Sequence, residues 1–403
     1  MKDVALSFVA RLIVIAFQLV NIKLYATYLG AEQLGMYFFL LTVSYSANSI
    51  LFVPVDYYQQ ANLAKTIADT GGARAFLEFN RRLTVLYIGA SLIIIAACSV
   101  IDPKYASYAL LAVILAYALY VVQVLRNTLN NLGYGNVVSI SFIQEAVLKV
   151  SFFYVLTRYF QASEFLLIIA WIVSLGLSGF YLLHKASRFL VFAGSFGHRI
   201  LAREVFQFAY PISIGAVCNW LQLQGYRLIL VPLGFAEEVG IFATLSNIGS
   251  AAIGAVSLIY GQQFTPLLYK TSGQYTARYL KGAIVAIVGV LLVAFTGGEF
   301  VVKILTKPEF VQNWELLLFG VATDGSNLLL AALMISVTLT GHTKQFLLAS
   351  IIGLLSMVSC FAVLYWASEL TVITIGIPLL ISQWVIVFYM YILFRKIANK
   401  SAS

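Results

Sequence analysis

Residues 18–37 read QLVNIKLYATYLGAEQLGMY, and residues 222–242 read QLQGYRLILVPLGFAEEVGIF. The two stretches align when one residue is inserted after the Leu-Gly pair of the second. We therefore predict two related halves, each with a cation at the same position of the repeat. The matched positions are Gln18 with Gln222, Lys23 with Arg227, Leu29-Gly30 with Leu233-Gly234, Glu32 with Glu237, Gly35 with Gly240 and Tyr37 with Phe242.

The composition indicates the class of protein. Of the 403 residues, 61% are hydrophobic and only 10% are charged, whereas soluble domains carry roughly 25% charged residues. Apolar runs recur along the chain at the length of about 20 residues that a helix needs to cross a bilayer. The short alternating segments of outer-membrane barrels are not seen. We therefore predict an all-α polytopic membrane protein.

Twelve spans are predicted, with a polar and basic segment at 187–204 between the sixth and the seventh. This segment suggests a cytoplasmic linker between an N-lobe, residues 1–186, and a C-lobe, residues 205–403. Six spans per lobe give both lobes the same orientation, so we expect two parallel six-helix lobes around a central cleft. The predicted spans are 4–28, 34–62, 83–101, 105–128, 137–157, 163–184, 205–233, 238–268, 281–305, 313–340, 345–367 and 371–394.

The net charge of +9 reflects membrane orientation rather than nucleic-acid binding. Most lysines and arginines fall in alternate short loops, which places both termini in the cytoplasm. The three cysteines lie in apolar spans without paired spacing, and the histidines lack the spacing of metal ligands, so we expect no metal and no cofactor. Motifs for nucleotide binding or covalent catalysis are not found, and we predict a protein that is not an enzyme.

Ionisable side chains inside the spans are candidates for function, because they are costly in a bilayer and usually face a bundle interior or a wet cavity. The cations outnumber the acids. Glutamines near the inner ends of spans two and eight are suited either to sugar hydroxyls or to contacts between helices. The cations are Arg11, Lys23, Arg126, Lys149 and Arg227, the acids are Asp56, Glu145 and Asp324, and the glutamines are Gln59, Gln60, Gln262 and Gln263.

Most of these charges also have a purely structural interpretation. The cations of spans one and four lie close enough to the span ends to reach lipid headgroups. Glu145 and Lys149 are four residues apart and could neutralise each other on one helix face. Arg227 is the hardest to explain structurally, because it repeats the position of Lys23 and its planar guanidinium suits bidentate phosphate binding.

The glycines of the repeat are expected to be structural. A glycine at a helix end permits a left-handed cap and a tight reversal of the chain. An acidic residue shortly after it stabilises the start of the next helix. We therefore interpret Gly30, Gly35, Gly234 and Gly240 as parts of hairpin turns.

The repeated pattern, together with twelve spans in two lobes, resembles a known family. The stretch from Arg227 to Phe242, with its copy from Lys23 to Tyr37, is similar to the polysaccharide-transporter branch of the multidrug/oligosaccharidyl-lipid/polysaccharide exporter superfamily. Within it, the resemblance is to the Wzx-type O-antigen flippases. Residues 319–324, Phe-Gly through Asp, resemble the corresponding part of enterobacterial common antigen flippases. Family members often carry an acid before the arginine of span seven, where this chain has Tyr226.

The resemblance implies a function in lipopolysaccharide or related polysaccharide biosynthesis. The substrate would be an undecaprenyl-pyrophosphate-linked oligosaccharide, moved between the leaflets of the bacterial inner membrane by alternating access. The five cations of the spans would face the pyrophosphate, and the three acids would couple transport to H⁺ or Na⁺. Membrane lipids and a polysaccharide polymerase are the implied partners.

Three other functions compete with this expectation. A cation-coupled multidrug antiporter of the same superfamily would favour a cavity dominated by acids. A major-facilitator transporter would carry a Gly-x-x-x-Asp-Arg-x-Gly-Arg loop, which does not occur between residues 65 and 82. A membrane glycosyltransferase or ligase would handle the same lipid but typically needs a larger periplasmic loop.

Overall fold

The computed structural model describes residues 2–70, 73–189, 200–271, 273–339 and 344–402. Fourteen α-helices run through these residues, and a single π-helical turn, Asn48–Phe52, joins α2 to α3 without a break. The helices are α1 Lys2–Tyr28, α2 Ala31–Ala47, α3 Val53–Thr70, α4 Arg74–Ile101, α5 Pro103–Asn131, α6 Gly135–Tyr159, α7 Glu164–Arg188, α8 Ala202–Leu230, α9 Ala236–Lys270, α10 Thr276–Leu305, α11 Pro308–Val311, α12 Leu316–Leu339, α13 Lys344–Trp366 and α14 Gly376–Ala402.

Within the described residues, 11 helical segments are long and apolar enough to cross a membrane. They correspond to eleven of the predicted spans. The other predicted span, 205–233, is α8, a helix of 29 residues. It carries the polar residues Asn219, Gln222, Gln224 and Arg227. The prediction of an all-α polytopic membrane protein is confirmed.

The chain divides into two compact units. Unit 1 comprises residues 1–17 and 40–213, and unit 2 comprises residues 18–39 and 214–403. The end of α1 and the start of α2 therefore belong to unit 2, together with the second copy of the repeat. Most of the predicted linker, residues 190–199, lies outside the described residues.

Unit 1 has an aromatic core around the π-helical turn. Pro54 lacks the N–H that the carbonyl of Ile50 would need in a regular α-helix, and π-turns commonly absorb such interruptions. The turn carries Phe52, which is fully buried and stacks on Tyr120 with ring centroids 4.1 Å apart. Tyr87 packs against the same ring and donates a hydrogen bond to the carbonyl of Val113. The irregular turn is thereby fixed by packing on α4 and α5.

Unit 2 is held by a close crossing of the two repeat copies. A Cβ added to Gly35 would lie 1.8 Å from the carbonyl oxygen of Ala236, and one added to Gly240 would lie 1.9 Å from that of Ala31. The starts of α2 and α9 therefore cross backbone to backbone, each through an Ala-x-x-x-Gly segment. Small residues four apart are the usual means of bringing membrane helices this close.

This crossing corrects the interpretation of two glycines. Gly35 and Gly240 lie inside helices, where they provide space for a neighbouring backbone, and they are not turn residues. Gly234 has a φ of +96°, as the turn interpretation requires. Gly30 precedes α2 without a left-handed conformation. The sequence pattern could not separate a turn glycine from a crossing glycine, because both occur within the same short repeated segment.

A second crossing of the same kind joins α9 to α12. A Cβ on Gly249 would lie 1.9 Å from the carbonyl oxygen of Leu317, and one on Gly320 would lie 1.9 Å from that of Ser246. Helix α9 is therefore in backbone contact with α2 near its start and with α12 about two turns further on. It forms the central element of unit 2.

Gly240→Ala tests the first crossing. The added methyl group overlaps the Ala31 carbonyl, so we expect the free energy of unfolding to fall by about 1–3 kcal/mol, as for other overpacked sites. The measurement is thermal unfolding of the purified protein in detergent. Gly254→Ala on the same helix is the control, because its Cβ would meet nothing within 4 Å and alanine favours the helix. Equal melting temperatures for the two variants would contradict the crossing.

Candidate functional site

Three polar residues lie along one face of α6. Ser141, Glu145 and Lys149 are spaced four residues apart, which aligns them on successive turns. Arg126 of α5 reaches this face: its Nε donates to Ser141 Oγ at 2.8 Å, and one terminal nitrogen lies 2.8 Å from Glu145 Oε2. Its guanidinium also lies 3.9 Å from the ring centroid of Phe142. Arg126 is therefore a buried ion-pair partner rather than a residue that extends to lipid headgroups.

Trp171 of α7 connects the acid and the lysine of this face. Its Nε1 donates to Glu145 Oε1 at 2.8 Å. The ammonium of Lys149 lies 3.7 Å from the centroid of the Trp171 ring, a distance at which a cation is attracted by the ring face. The sequence left open a neutralising pair of Glu145 and Lys149, and the structure adds an ion pair of Glu145 with Arg126 from α5. We call Arg126, Glu145, Lys149 and Trp171 the α6 cluster.

The α6 cluster has two cations and one carboxylate, so it carries a net positive charge. The Glu145 carboxylate has partners on both oxygens, one being Arg126 and the other Trp171. Lys149 is half-buried and makes its closest described approach to an aromatic face. The cluster therefore combines a satisfied ion pair with a second cation held on a ring, an arrangement able to receive an anionic group.

Asp56 lies in a separate polar network of unit 1. Its Oδ2 accepts hydrogen bonds from Asn127 Nδ2 at 2.7 Å and from Gln60 Nε2 at 2.9 Å. Its Oδ1 is buried and has no hydrogen-bond partner among the described residues. A buried carboxylate oxygen without a donor is costly, and a proton or a small cation would satisfy it.

The predicted glutamines differ in their surroundings. Gln59 is buried, with its Nε2 donating to Thr128 Oγ1 at 2.8 Å and its Oε1 accepting from Asn80 at 3.3 Å. Gln60 bonds Asp56, as described above. Gln263 is exposed, and the side chain of Gln262 lies outside the described residues. In unit 1, Gln59 thus links α3 to α4 and α5, whereas Gln60 bonds a residue of its own helix.

Arg227 occupies an aromatic environment in unit 2. Its exposed fraction is 6%, its Nε donates to Tyr226 Oη at 3.0 Å, and its guanidinium lies 4.8 Å from the ring centroid of Phe38. Tyr25 also lies in its electrostatic field. Among the described residues, no carboxylate pairs with Arg227, and its terminal guanidinium nitrogens have no hydrogen-bond partner.

The equivalent residue of the first repeat copy has a different environment. Lys23 is exposed on α1, and so are Arg11 and Gln18. Gln222, by contrast, is fully buried, donates to the Ser350 carbonyl at 2.7 Å and accepts from Gln383 at 3.3 Å. The matched pairs of the repeat therefore share their position in the sequence but not their burial.

Asp324 of α12 is the remaining predicted acid. It accepts a hydrogen bond from Asn327 at 3.3 Å and another from Ser250 of α9. Ser250 follows Gly249, so this carboxylate lies beside the second backbone crossing of unit 2. Asp324 and Arg227 both belong to unit 2, whereas Asp56 and Glu145 belong to unit 1.

Sequence reasoning missed three residues of these sites. Trp171 contacts Glu145 and Lys149 of the α6 cluster, Asn127 binds Asp56, and Tyr226 binds Arg227. An aromatic residue in a span has the same pattern whether it faces lipid or a charge, so only the packing identifies Trp171. Asn127 and Tyr226 are each adjacent to a candidate cation, which was the available signal.

A double-mutant cycle tests the α6 cluster. Glu145→Gln leaves Arg126 buried without a counter-charge, and we expect a loss of roughly 3–5 kcal/mol in the free energy of unfolding. Arg126→Gln/Glu145→Gln removes both charges and should recover part of that loss. Glu78→Gln is the control, because its pairing with Arg82, at 3.8 Å, is exposed and contributes little. If the losses in the free energy of unfolding from Glu145→Gln and Arg126→Gln simply add up in the double variant, the pair is not coupled.

Comparisons with solved structures identify the fold. A multidrug resistance MATE family transporter of the MOP superfamily, in its inward-facing conformation, matches with a TM-score of 0.66 and 13% identity over 98% of this chain and 99% of the other. An outward-facing MATE family transporter of the same superfamily matches with a TM-score of 0.61 and 14% identity over 100% of this chain and 97% of the other. The lipid II flippase MurJ, in an inward closed conformation, matches with a TM-score of 0.71 and 11% identity over 98% of this chain and 87% of the other.

At these identities, the likeness concerns the fold alone. No protein-family model matches the chain, and a comparison with curated protein sequences finds no match. The described helices extend over nearly the full length of the MATE and MurJ chains. The chain therefore has the fold that MATE transporters and the MurJ flippase share.

Proposed function

We propose that the protein is a flippase for a lipid-linked oligosaccharide with a pyrophosphate group. The lipid would be undecaprenyl pyrophosphate, and the glycan would be an O-antigen unit or a related surface polysaccharide repeat. Transport would run from the cytoplasmic to the periplasmic leaflet of the bacterial inner membrane by alternating access. Such a protein moves its substrate without changing a covalent bond, so it needs no catalytic residue.

The observation that carries this proposal is the environment of Arg227, which is buried without a carboxylate partner among the described residues. A buried arginine is usually paired with a carboxylate, because an unpaired buried charge is costly. Here the described neighbours are aromatic rings and a tyrosine hydroxyl. The guanidinium therefore keeps its planar pair of terminal donors for an anion, and phosphate is an anion that this geometry fits.

The α6 cluster supports the same substrate class. Its one carboxylate is engaged by Arg126 and Trp171, and the Lys149 ammonium lies over the Trp171 ring, so two cations share one acid in this cluster. Each unit thus contains a cation in aromatic surroundings. Such surroundings suit an anionic substrate better than an organic cation.

Ion coupling is the second part of the proposal. Asp56 has one buried oxygen without a described donor, and Asp324 is held by an amide and a hydroxyl. Carboxylate, amide and hydroxyl oxygens are ligands for hard cations, and a carboxylate also accepts a proton. We propose that H⁺ or Na⁺ binds at one or both of these acids during the transport cycle.

A cation-coupled multidrug antiporter is the second candidate. The similarity to MATE multidrug transporters favours it, with TM-scores of 0.66 and 0.61. An organic cation would need an uncommitted acid. Glu145 is already paired with Arg126, so an organic cation would have to use Asp56 or Asp324, which are hydrogen-bonded to neutral groups and are the proposed sites of ion coupling. The charge of the described sites therefore favours the anionic lipid.

Transport in proteoliposomes distinguishes the two candidates. A labelled undecaprenyl-pyrophosphate oligosaccharide and an organic-cation dye are followed in parallel, under both a proton and a sodium gradient. We expect the lipid to change leaflet faster than in empty vesicles and the dye to remain where it started. Movement of the dye without movement of the lipid would contradict the flippase and support the antiporter.

Arg227→Ala is expected to slow flipping by roughly ten- to a hundredfold, because hydrogen bonds to a charged group contribute about 1.5–3 kcal/mol. Arg227→Lys should retain part of the activity, since it keeps the charge without the planar fork. Lys23→Ala tests the exposed counterpart in the first repeat copy. The readout is the initial flipping rate in proteoliposomes.

Arg158→Ala is the control for these variants, because that arginine is exposed in the last turn of α6. Thermal unfolding and gel filtration check that each variant is folded. Wild-type flipping by a folded Arg227→Ala variant would contradict the assigned role.

A further inference from the structure

A groove in unit 2 has no place in the proposed function. Helices α10 and α14 both pack against α12 and enclose a cavity of about 460 Å³. Its floor is formed by Leu329 and Leu333 of α12, which are buried. The cavity has the size of a small-molecule site, and its lining is mostly apolar.

The wall on α14 is a continuous stripe. Trp384, Phe388, Tyr391 and Arg395 line the cavity at intervals of four, three and four residues, which places them on one helix face. Three of these side chains are aromatic and only partly covered by protein, with 66% of Phe388 exposed. An exposed aromatic stripe on a membrane-spanning helix faces lipid.

The opposite wall, on α10, also combines a cation with a partly exposed apolar side chain. Lys281 and Ile284 line the cavity from this helix, and Ile284 is 49% exposed. Lys281 lies five residues after the start of α10 at Thr276, and Arg395 lies two residues before the end of the apolar segment that finishes at Ile397. Both cations therefore lie near helix ends, at the level of a membrane interface, and the apolar part of the cavity lies deeper.

The two cations have no carboxylate partner among the described residues. Each is exposed, and neither takes part in an ion pair within the described parts of the chain. Two unpaired cations above an apolar, aromatic-lined groove match the two parts of one kind of molecule, which has an anionic head and a long hydrocarbon chain. A basic pocket between membrane helices at an interface is a known means of holding anionic lipid headgroups.

We propose that this groove binds one molecule of an anionic phospholipid. Lys281 and Arg395 contact the phosphate head, and one acyl chain lies along the stripe of Trp384, Phe388 and Tyr391. An extended peptide would have to leave its backbone polar groups unsatisfied at this depth. An organic cation would be repelled by both charges. The inference does not depend on which substrate the protein transports.

The test measures binding of fluorescent phosphatidylglycerol to the purified protein in detergent, with phosphatidylcholine as the comparison lipid. We expect the wild type to prefer phosphatidylglycerol. The variant Lys281→Ala/Arg395→Ala should bind it roughly tenfold more weakly, since each cation near the membrane surface adds to the attraction of anionic lipid.

A matched variant controls for general loss of positive charge. Arg278→Ala/Lys396→Ala removes two exposed cations from the same ends of the same two helices, and neither of these residues lines the cavity. Its phosphatidylglycerol affinity should stay within about twofold of the wild type, because neither cation lies where the phosphate head would bind and only the weaker general attraction of the surface is lost. Equal losses in the two double variants, or no preference for phosphatidylglycerol in the wild type, would overturn the proposal.

A second pair of variants tests the position of the acyl chain. Ile284→Trp fills the groove, whereas Ile304→Trp places the same side chain on the same helix outside it, at a residue of nearly equal exposure, 48%. We expect Ile284→Trp to reduce phosphatidylglycerol binding and Ile304→Trp to leave it unchanged. Unchanged binding in a folded Ile284→Trp variant would show that the acyl chain does not lie in the groove and would overturn the proposal.

Discussion

The backbone contact between Ala31–Gly35 and Ala236–Gly240 is the constraint on which unit 2 depends. A carbonyl oxygen of each segment occupies the space where the other glycine would carry a side chain. Two copies of the repeat thus meet through their shared small residues, and the contact brings the start of α2 into unit 2. Because Phe38 follows this contact on α2, the crossing also supplies the ring beneath Arg227. A duplicated sequence therefore creates a contact and a charged site together.

Inside both units, the low dielectric decides what each charge can do. Arg126 is stabilised by Glu145 and by two hydrogen bonds to Ser141, so its charge is compensated by neighbouring groups of the protein. Arg227 has aromatic rings and one hydroxyl instead. A compensated pair can be structural, but a buried cation without a described acid needs an anion from elsewhere for full stabilisation. This difference, rather than the number of cations, is what points to an anionic substrate.

The sequence was sufficient for the fold class and insufficient for the pairing of charges. Apolar runs of spanning length predicted the helices, because a bilayer leaves the backbone almost no other choice. The same periodicity does not show which neighbour a charged side chain meets. Glu145 was weighed against Lys149 on its own helix, yet it pairs with Arg126 from α5. Lys23 and Arg227 matched in the repeat, yet one is exposed and the other buried. The pairing of a charge and its burial depend on tertiary contacts, which the sequence pattern does not reveal.

The most direct test of the account is equilibrium binding to the purified protein in detergent. Undecaprenyl pyrophosphate and an organic-cation dye are titrated separately, each with inorganic pyrophosphate as competitor. The account predicts that the pyrophosphate lipid binds, that inorganic pyrophosphate displaces it, and that Arg227→Ala weakens it while Arg158→Ala does not. Tight binding of the dye, with no binding of the lipid by wild-type protein, would contradict the claim that the buried arginine serves an anionic substrate.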